Sequence, residues 1–301
     1  MKFAVIDLGT NTFNLSIGSW VDDKLHYLHS EKEGVAIGMG GINEQCISQE
    51  AIERALACLN RFARRCKEFD VNEIKAIGTS AIRDAKNKEE FISSVQSQTG
   101  IRVEVVQGIR EAELIYKGIH YTCEFSTPSM IMDIGGGSTE FIYVENGLIS
   151  KAISLDIGVS RIYQLFQLND PLSSENIQEL ESYFESNANG FFDQIKCNTL
   201  VGASGSFETF YELVHHRKFP SGFDTQVLNI VEFQQQLQAI ILSTQEERDK
   251  NQFIIPIRKK MAPIAAVKTR WVLKKLSIQD LVISPCSLKE GVFVESKDNI
   301  K

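Results

Sequence analysis

The sequence predicts an α/β fold built from two related domains, and three observations lead to this prediction. Strand patterns alternate with helix patterns along most of the 301 residues, which is typical of an α/β architecture. A hairpin of the form strand–Asp–apolar–Gly occurs twice, because Asp133 follows Asp7 by 126 positions within the same scheme. That spacing is far longer than the period of a solenoid repeat, so it indicates two copies of a domain. We expect a cleft between the two copies.

The first half of the chain predicts the element order β-β-α-β-α-β-α. Residues 3–18 form a hairpin pattern, and residues 48–69 have apolar side chains at helical spacing with Ser48 as the N-cap. Short apolar strands at 74–79 and 101–106 are each followed by a helix pattern. The first domain is predicted to span residues 1–123.

A polar segment that contains proline, at 124–129, predicts the domain boundary, so the second domain is predicted to span residues 124–301. Its predicted strands are 130–134, 139–145, 148–154, 198–204 and 280–284, and its predicted helices include 160–166, 173–187, 205–216 and 287–295. The rest of the chain up to Leu276 is predicted to be helical. An alternative for the last helix is that it packs back on the first domain.

The composition excludes several classes of protein. With 43% hydrophobic and 24% charged residues the chain is not disordered, and its net charge of −7 argues against wholesale binding of nucleic acid. There is no apolar run near 18 residues and no leader pattern, so we expect a cytoplasmic protein that does not act in a membrane. The six cysteines are scattered and the five histidines lack zinc-binding spacing, so thiol and zinc chemistry are not predicted.

The turns of the two hairpins combine glycine, hydroxyl and carboxylate side chains. The relevant residues are Asp7, Gly9, Thr10, Asn11 and Thr12 in the first hairpin, and Asp133, Gly135, Gly136, Gly137, Ser138 and Glu140 in the second. Taken alone, the glycine cluster equally predicts a tight turn or a loop whose N–H groups bind phosphate. Its second occurrence favours phosphate, with the carboxylates holding a hard cation such as Mg2+.

Two candidate residues lie just after predicted strands of the first domain. Arg83 follows Ser80 by three residues and falls in the first turn of a predicted helix, where the helix dipole disfavours a cation. An arginine placed against this preference, beside free backbone N–H groups, is suited to binding an anion. The alternative is that Arg83 pairs with Asp84 or Glu111 or lies in water. Glu111 is explained as an acid that complements a helix N-terminus, worth about 0.3–1 kcal/mol. It becomes a catalytic candidate because the carboxyl ends of the strands would meet at one crevice.

Two weaker signals lie in the second domain. Gly205 follows a strand and opens a helix, where another phosphate or a nucleoside would bind. From Ile257 to Gln279 the chain has no acid and carries Arg258, Lys259, Lys260, Lys268, Arg270, Lys274 and Lys275. Such a run is usually an exposed helix face. The alternative is a path for a long polyanion, in which Lys268 and Arg270 would bind substrate.

Five stretches, taken together in their order and spacing, carry a resemblance to a known family. They are VIDLGTNTFNL, AIGTSAIRDAKN, VVQGIREAELIYKG, IMDIGGGSTEF and VGASGSFET. The chain resembles the exopolyphosphatase/guanosine pentaphosphate phosphohydrolase family over nearly its whole length, and it is similar to the short, two-domain members. That family is a branch of the acetate kinase–Hsp70–actin fold. The resemblance therefore implies two duplicated actin-like (ribonuclease H-like) α/β domains.

The resemblance also implies a role for each candidate residue. Glu111 would be the general base that activates water, and Arg83 would clamp the phosphate and offset its charge. Asp133 and Glu140 would hold Mg2+, with Asp7 helping through water. The phosphate loops would be Thr10, Asn11 and Thr12 in the first domain, and Gly136, Gly137 and Ser138 in the second.

The function implied by the resemblance is Mg2+-dependent hydrolysis of the terminal phosphoanhydride of inorganic polyphosphate, with guanosine pentaphosphate as the alternative substrate. Rivals of another class are a kinase-like nucleotide switch and a regulator that binds polyphosphate or alarmone without turnover. The chain departs from the family pattern at Asp156 (in place of proline), Lys260 (in place of an acid) and Lys289 (in place of arginine). These departures leave the substrate preference open. Dimers are common for such folds, and a homodimer is kept open.

Overall fold

The structure is a computed structural model that describes residues 1–298, and the chain groups into two compact units. The first unit contains Met1–Gly118 together with the last helix, Leu288–Asp298. The second unit contains Ile119–Ser287. The limits 1–123 and 124–301 given for the two actin-like domains stay a prediction.

The first unit contains a five-stranded sheet in the order β3-β2-β1-β4-β5. Its elements are β1 (Lys2–Leu8), β2 (Phe13–Val21), β3 (Lys24–Glu33), α1 (Gln49–Glu68), β4 (Glu73–Gly78), α2 (Ser80–Arg83), α3 (Lys88–Thr99), β5 (Val103–Val105) and α4 (Gly108–His120). Strands β1, β2 and β3 pair antiparallel, and β4 and β5 continue the sheet in parallel. Helix α1 is confirmed, with the Ser48 hydroxyl accepting from the N–H of Ala51 and an apolar face buried around Leu59 and Phe62.

The second unit contains a six-stranded sheet in the order β10-β11-β9-β6-β7-β8. Its elements are β6 (Ser129–Ile134), β7 (Thr139–Glu145), β8 (Leu148–Leu155), α5 (Val159–Leu165), α6 (Ser174–Ala188), β9 (Thr199–Ala203), α7 (Ser204–His215), β10 (Gln226–Leu228), α8 (Ile230–Leu242), α9 (Gln245–Lys250), α10 (Ala262–Leu276) and β11 (Asp280–Ile283). The last helix of the chain, α11 (Leu288–Asp298), belongs to the first unit.

The two sheets repeat one topology. In each, an antiparallel meander of three strands is followed by parallel strands, so β3-β2-β1-β4-β5 corresponds to β8-β7-β6-β9-β11. This is the ribonuclease H-like arrangement of actin-like domains. The prediction of two duplicated actin-like α/β domains is therefore confirmed.

Two strands are missing from the sequence prediction, which ran directly from the first hairpin to α1 and treated the chain before Leu276 as helical. In β3 only Leu25 is buried, because this edge strand is open to solvent, and its sequence KLHYLHSEKE therefore lacks an alternating pattern. Strand β10 has only three residues. The helix predicted after residue 79 is also divided, into α2 and α3. In the described part of the chain, no helix combines the length and apolar character needed to cross a bilayer.

Candidate active site

The turns of the two hairpins have the same geometry. Leu8 pairs with Phe13 at the mouth of the first loop, Gly9–Thr12, and Ile134 pairs with Thr139 at the mouth of the second, Gly135–Ser138. A Cβ atom placed on Gly9 would lie 3.0 Å from the carbonyl oxygen of Thr12, and one placed on Gly135 would lie 3.0 Å from that of Ser138. The two loops therefore follow the same path, as the repeated sequence scheme predicts.

Three consecutive carbonyl groups of the second loop accept hydrogen bonds from the start of α5. The bonds run from Val159 N to Gly135 O (3.1 Å), from Ser160 N and Arg161 N to Gly136 O (2.8 and 3.2 Å), and from Gly158 N and Arg161 Nε to Gly137 O (3.1 and 3.0 Å). Because a trans peptide group is planar, the N–H that follows each carbonyl points the opposite way. The N–H groups of Gly136, Gly137 and Ser138 therefore point away from α5, and successive N–H groups of a turn can bind an anion.

The start of α5 approaches the second loop so closely that only glycine fits at position 158. A Cβ atom there would lie 2.3 Å from the carbonyl oxygen of Gly136 and 2.3 Å from the carbonyl carbon of Gly137. Arg161 is buried, and its guanidinium lies 3.7 Å from the exposed carboxylate of Asp156. Sequence analysis did not identify Gly158 or Arg161 as site residues, although the departure from the family pattern at Asp156 lies two residues before Gly158.

The first loop is held in a similar way by the segment that follows β3. The N–H of Gly38 donates to Thr10 O (3.1 Å), and the N–H of Ala36 donates to Asn11 O (2.9 Å). The N–H groups of Asn11 and Thr12 accordingly point away from this segment. The hydroxyls of Thr10 and Ser80 lie 3.2 Å apart, so the first loop and the end of β4 are joined in one polar cluster.

Each hairpin also carries a polar cross-strand pair beneath its loop. In the first, Asn14 Nδ2 donates to Asp7 Oδ2 (3.0 Å). In the second, Asp133 stands opposite Glu140, which accepts a hydrogen bond of 2.7 Å from the hydroxyl of Ser154. Asn14 was missed by sequence analysis, although it stands as far from Glu140 as Asp7 stands from Asp133.

Asp133 lies in a largely enclosed position, with 7% of its surface exposed. Burial raises the pKa of its carboxyl above the ordinary value, hydrogen bonds from Ser287 and Ser204 oppose that rise, and the charge of Glu208 adds to it. Ser204, at the start of α7, has a φ of 68°, a conformation that costs a residue other than glycine about 1–2 kcal/mol. The chain therefore places two hydroxyl donors around one buried carboxyl group.

Glu111 and Arg83 form an ion pair in the first unit. Glu111 lies in the first turn of α4 with 7% of its surface exposed, and Arg83 Nη1 lies 2.8 Å from its Oε2. Arg83 Nε lies 3.3 Å from Asp84. The alternative that Arg83 pairs with Asp84 or Glu111 is therefore present in the structure. The pair with Glu111 joins the two residues that the resemblance assigns to catalysis.

Gly205, near the start of α7, is covered by an arginine. A Cβ atom at this position would lie 1.5 Å from Arg258 Nη2, so glycine is needed for the guanidinium to lie against the helix. Arg258 Nη1 donates to the hydroxyl of Thr209 (2.9 Å). Burial lowers the pKa of Arg258. This positive charge stands where a phosphate was predicted to bind.

The basic run does not form a continuous exposed path, which corrects the prediction for Lys268 and Arg270. Lys268 is fully buried, and its ammonium donates to Thr139 Oγ1 (2.8 Å) and to the carbonyl of Ile157. Arg270 lies 2.9 Å from Glu181 of α6, and Lys275 lies 2.5 Å from Glu185 of the same helix. The helix pattern was correct, but α10 packs in the interior, and the acids that neutralise its outer charges come from α6.

Comparison with known proteins identifies a family over most of the chain. A family model described as the Ppx/GppA phosphatase family matches residues 16–300. The crystal structure of an exopolyphosphatase from Cytophaga hutchinsonii ATCC 33406 is similar, with a TM-score of 0.95, 34% identity, and coverage of 100% of this chain and 99% of that chain. The Aquifex aeolicus PPX-GPPA enzyme is similar with a TM-score of 0.83 and 26% identity, over 98% of this chain and 99% of that chain.

A guanosine-5'-triphosphate,3'-diphosphate pyrophosphatase of Photobacterium profundum is 28% identical over 306 aligned residues. The alignment covers 99% of this chain and 60% of that protein, so the chain spans about 60% of the length of this relative. The duplicated hairpins, the matched family model and the similarity to the Cytophaga structure agree with one another. The chain therefore belongs to the Ppx/GppA phosphatase family.

Proposed function

We propose that this protein is an exopolyphosphatase, which removes the terminal phosphate of inorganic polyphosphate by hydrolysis. The observation that carries this proposal is the second loop, where the N–H groups of Gly136, Gly137 and Ser138 point away from α5 and suit a phosphate. Membership of a phosphatase family supports the same chemistry. The similar Cytophaga hutchinsonii protein is named an exopolyphosphatase.

In this proposal Glu111 accepts the proton of the attacking water, and Arg83 offsets charge on the phosphoryl oxygens. Phosphoryl transfer depends mainly on positioning and charge neutralisation, with one base to orient the water. The Arg83–Glu111 contact of 2.8 Å orients both side chains within the first unit. The N–H groups of Asn11 and Thr12 would bind phosphate oxygens in the first loop, as those of Gly136, Gly137 and Ser138 would in the second.

The proposal requires Mg2+, and the side chains of the second hairpin fit this ion. Mg2+ keeps several of its waters and is usually bound through one or two carboxylates. Asp133 and Glu140 are direct cross-strand neighbours, and residues 1–298 contain no group of three or more His, Cys, Asp and Glu side chains suited to a metal. A hydrated ion held by Asp133 and Glu140 matches this donor set, and the water-mediated role of Asp7 stays a prediction. When bound, the ion would neutralise phosphate charge.

The Mg2+ assignment has its own test. Asp133→Asn removes one of the two charged ligands, so the Mg2+ concentration that gives half of the maximal rate should rise about tenfold or more, since each 1.4 kcal/mol of lost binding is a factor of ten. Glu44→Gln, a change on an exposed residue outside both hairpins, is the matched control. A titration of Asp133→Asn that overlays the wild type would remove Asp133 from the metal role.

Guanosine pentaphosphate is the second candidate substrate, and the Photobacterium relative favours it. That protein is named a guanosine-5'-triphosphate,3'-diphosphate pyrophosphatase and aligns with 99% of this chain. The buried position of Lys268 and the pairing of Arg270 also remove the exposed basic path as an argument for long chains. The same catalytic residues would serve either anhydride.

A phosphate-release assay separates these substrates. The panel is tripolyphosphate, long-chain polyphosphate, guanosine pentaphosphate and ATP, each with Mg2+ and with a chelator. We expect release from polyphosphate in the presence of Mg2+, with kcat/KM higher than for guanosine pentaphosphate and far higher than for ATP. A preference for guanosine pentaphosphate would move the assignment to the second candidate, and release from none of the four would overturn both.

A further inference from the structure

Lys268 is a fully buried cation whose hydrogen bonds go to neutral oxygen atoms. Its ammonium donates to Thr139 Oγ1 at 2.8 Å and to the carbonyl oxygen of Ile157, and it lies 5.5 Å from the centre of the Phe184 ring. Desolvation lowers its pKa to about 7, and the charge of Glu140 opposes this fall. A buried amine of this kind is costly, and an apolar side chain of similar length would fill the same space without that cost.

The two acceptors of Lys268 belong to the two segments that form the second loop and its support. Thr139 directly follows Ser138, the last residue of the loop. Ile157 directly precedes Gly158, whose N–H donates to Gly137 O at 3.1 Å and whose Cα lies against the loop backbone. One ammonium group therefore connects the end of the loop to the start of the segment that binds the loop carbonyls.

We propose that Lys268 is a positioning residue for the Gly135–Ser138 loop. By holding Thr139 and Ile157 together from beneath, it fixes the spacing between the loop and α5, and hence the direction of the three loop N–H groups. This inference rests on the proposed role of that loop as a phosphate site. In this role Lys268, although part of the basic run, supports the loop from the protein interior and does not line an exposed path for substrate.

The experiment measures the loop directly as well as through substrate. Lys268→Met keeps the length of the side chain and removes the charge and both hydrogen bonds, and Thr139→Val removes one acceptor with little change in shape. Lys274→Met, on the same helix with an exposed ammonium, is the control. Backbone hydrogen exchange of residues 158–161, whose N–H groups donate to the loop carbonyls, is recorded without ligand, and the KM and kcat for tripolyphosphate are measured in parallel.

For Lys268→Met we expect exchange in residues 158–161 to become about tenfold faster, the effect of losing a buried hydrogen bond of ordinary strength. The KM for tripolyphosphate should rise by a similar factor while kcat changes less, because the loop N–H groups bind ground and transition states alike. Thr139→Val should change both quantities in the same direction, and Lys274→Met should match the wild type.

Unchanged exchange in both Lys268→Met and Thr139→Val would overturn the positioning role, whatever the activity. Faster exchange with no phosphate release by the wild-type protein would retain the positioning role and reject the proposed function instead. If Lys268→Met does not fold, Thr139→Val decides by the same two readouts.

Discussion

Glu111 is the side chain on which the proposed chemistry depends most. It is nearly enclosed, lies at the start of α4 and contacts Arg83 at 2.8 Å. In Glu111→Gln the amide keeps the shape but cannot accept the proton of water, so kcat should fall by about 10²–10⁴-fold, as for loss of a general base. Substrate binding, measured by calorimetry with tripolyphosphate, should be retained.

Glu113→Gln is the matched control for this prediction. Glu113 lies on the same helix, pairs with Arg110 at 3.2 Å and has no part in the proposed chemistry. It should leave kcat unchanged. A Glu111→Gln protein with nearly normal turnover would reduce Glu111 to an acid that complements the helix N-terminus, and the base would have to be sought elsewhere.

Lys268 should also give the folded protein a specific dependence on pH. Its pKa falls from the ordinary 10.5 to about 7 on burial, so between these values the unfolded chain binds a proton that the folded chain does not. The free energy of unfolding therefore rises with pH in this window, and the destabilising effect of Lys268 is fully present below about pH 7. Relative to Lys268→Met, the wild type should gain about 2 kcal/mol between about pH 7 and about pH 9.

Urea unfolding of the wild type, Lys268→Met and Lys274→Met at the two pH values checks this prediction. Lys274→Met should follow the wild type, because its ammonium is exposed. Parallel pH dependences of all three proteins would mean that Lys268 keeps an ordinary pKa in the folded state.

At this scale, the sequence predicts residue types better than it predicts their surroundings. Asp133 and Glu140 could be selected because their pattern repeats that of Asp7, and Asn14 could have been found by the same comparison. The enclosure of Lys268 could not be predicted, because helical spacing does not reveal which neighbouring element covers a face. The need for glycine at position 158 becomes visible only in the structure, because a Cβ atom placed there would lie 2.3 Å from the loop backbone.

Among the elements, α5 and the second loop act together. The carbonyl groups of the loop accept from the first residues of α5, and the close approach depends on Gly158. Gly158→Ala would press a methyl group on backbone atoms that cannot rotate away, and the loop would have to move. The KM for tripolyphosphate should rise by about 10–100-fold, since a misplacement of about 1 Å has effects of this size.

Gly147→Ala is the control for general destabilisation. Gly147 lies in the turn between β7 and β8 with a φ of 72°, and a Cβ there meets nothing within 4 Å. This variant should lose about 1–2 kcal/mol of stability through its backbone conformation. Its KM should stay at the wild-type value. Equal KM changes in both variants, measured by steady-state phosphate release, would contradict a specific role for the contact between α5 and the loop.

Elements with a continuous or periodic set of buried apolar residues are among those that the sequence predicts correctly. Strands β1 and β6 and helix α1 carry strong apolar patterns because they cover the cores of their units. Strand β3 is held by pairing with β2 and by a two-residue turn in which Asp22 and Asp23 both have positive φ. Aspartates at such a turn are a hairpin signal, but the polar strand that follows hides it.

For the whole molecule, five motifs were enough to predict the family, and that prediction is confirmed by the family model over residues 16–300. The same motifs do not determine the substrate. The Cytophaga and Photobacterium relatives carry different substrate names, and the residues proposed for the chemistry would act on either anhydride. The departures from the family pattern at Asp156, Lys260 and Lys289 lie outside these motifs and leave the substrate preference open.

The central claim is that water attacks the terminal phosphorus of a linear phosphoanhydride. Hydrolysis of tripolyphosphate in water enriched with heavy oxygen, followed by mass spectrometry of both products, tests it most directly. Attack on the terminal phosphorus places the labelled oxygen in orthophosphate and none in pyrophosphate, which is the result we expect with the wild type and Mg2+. Label in pyrophosphate would mean attack on an inner phosphorus, and the absence of any labelled product would mean that the protein does not hydrolyse this bond.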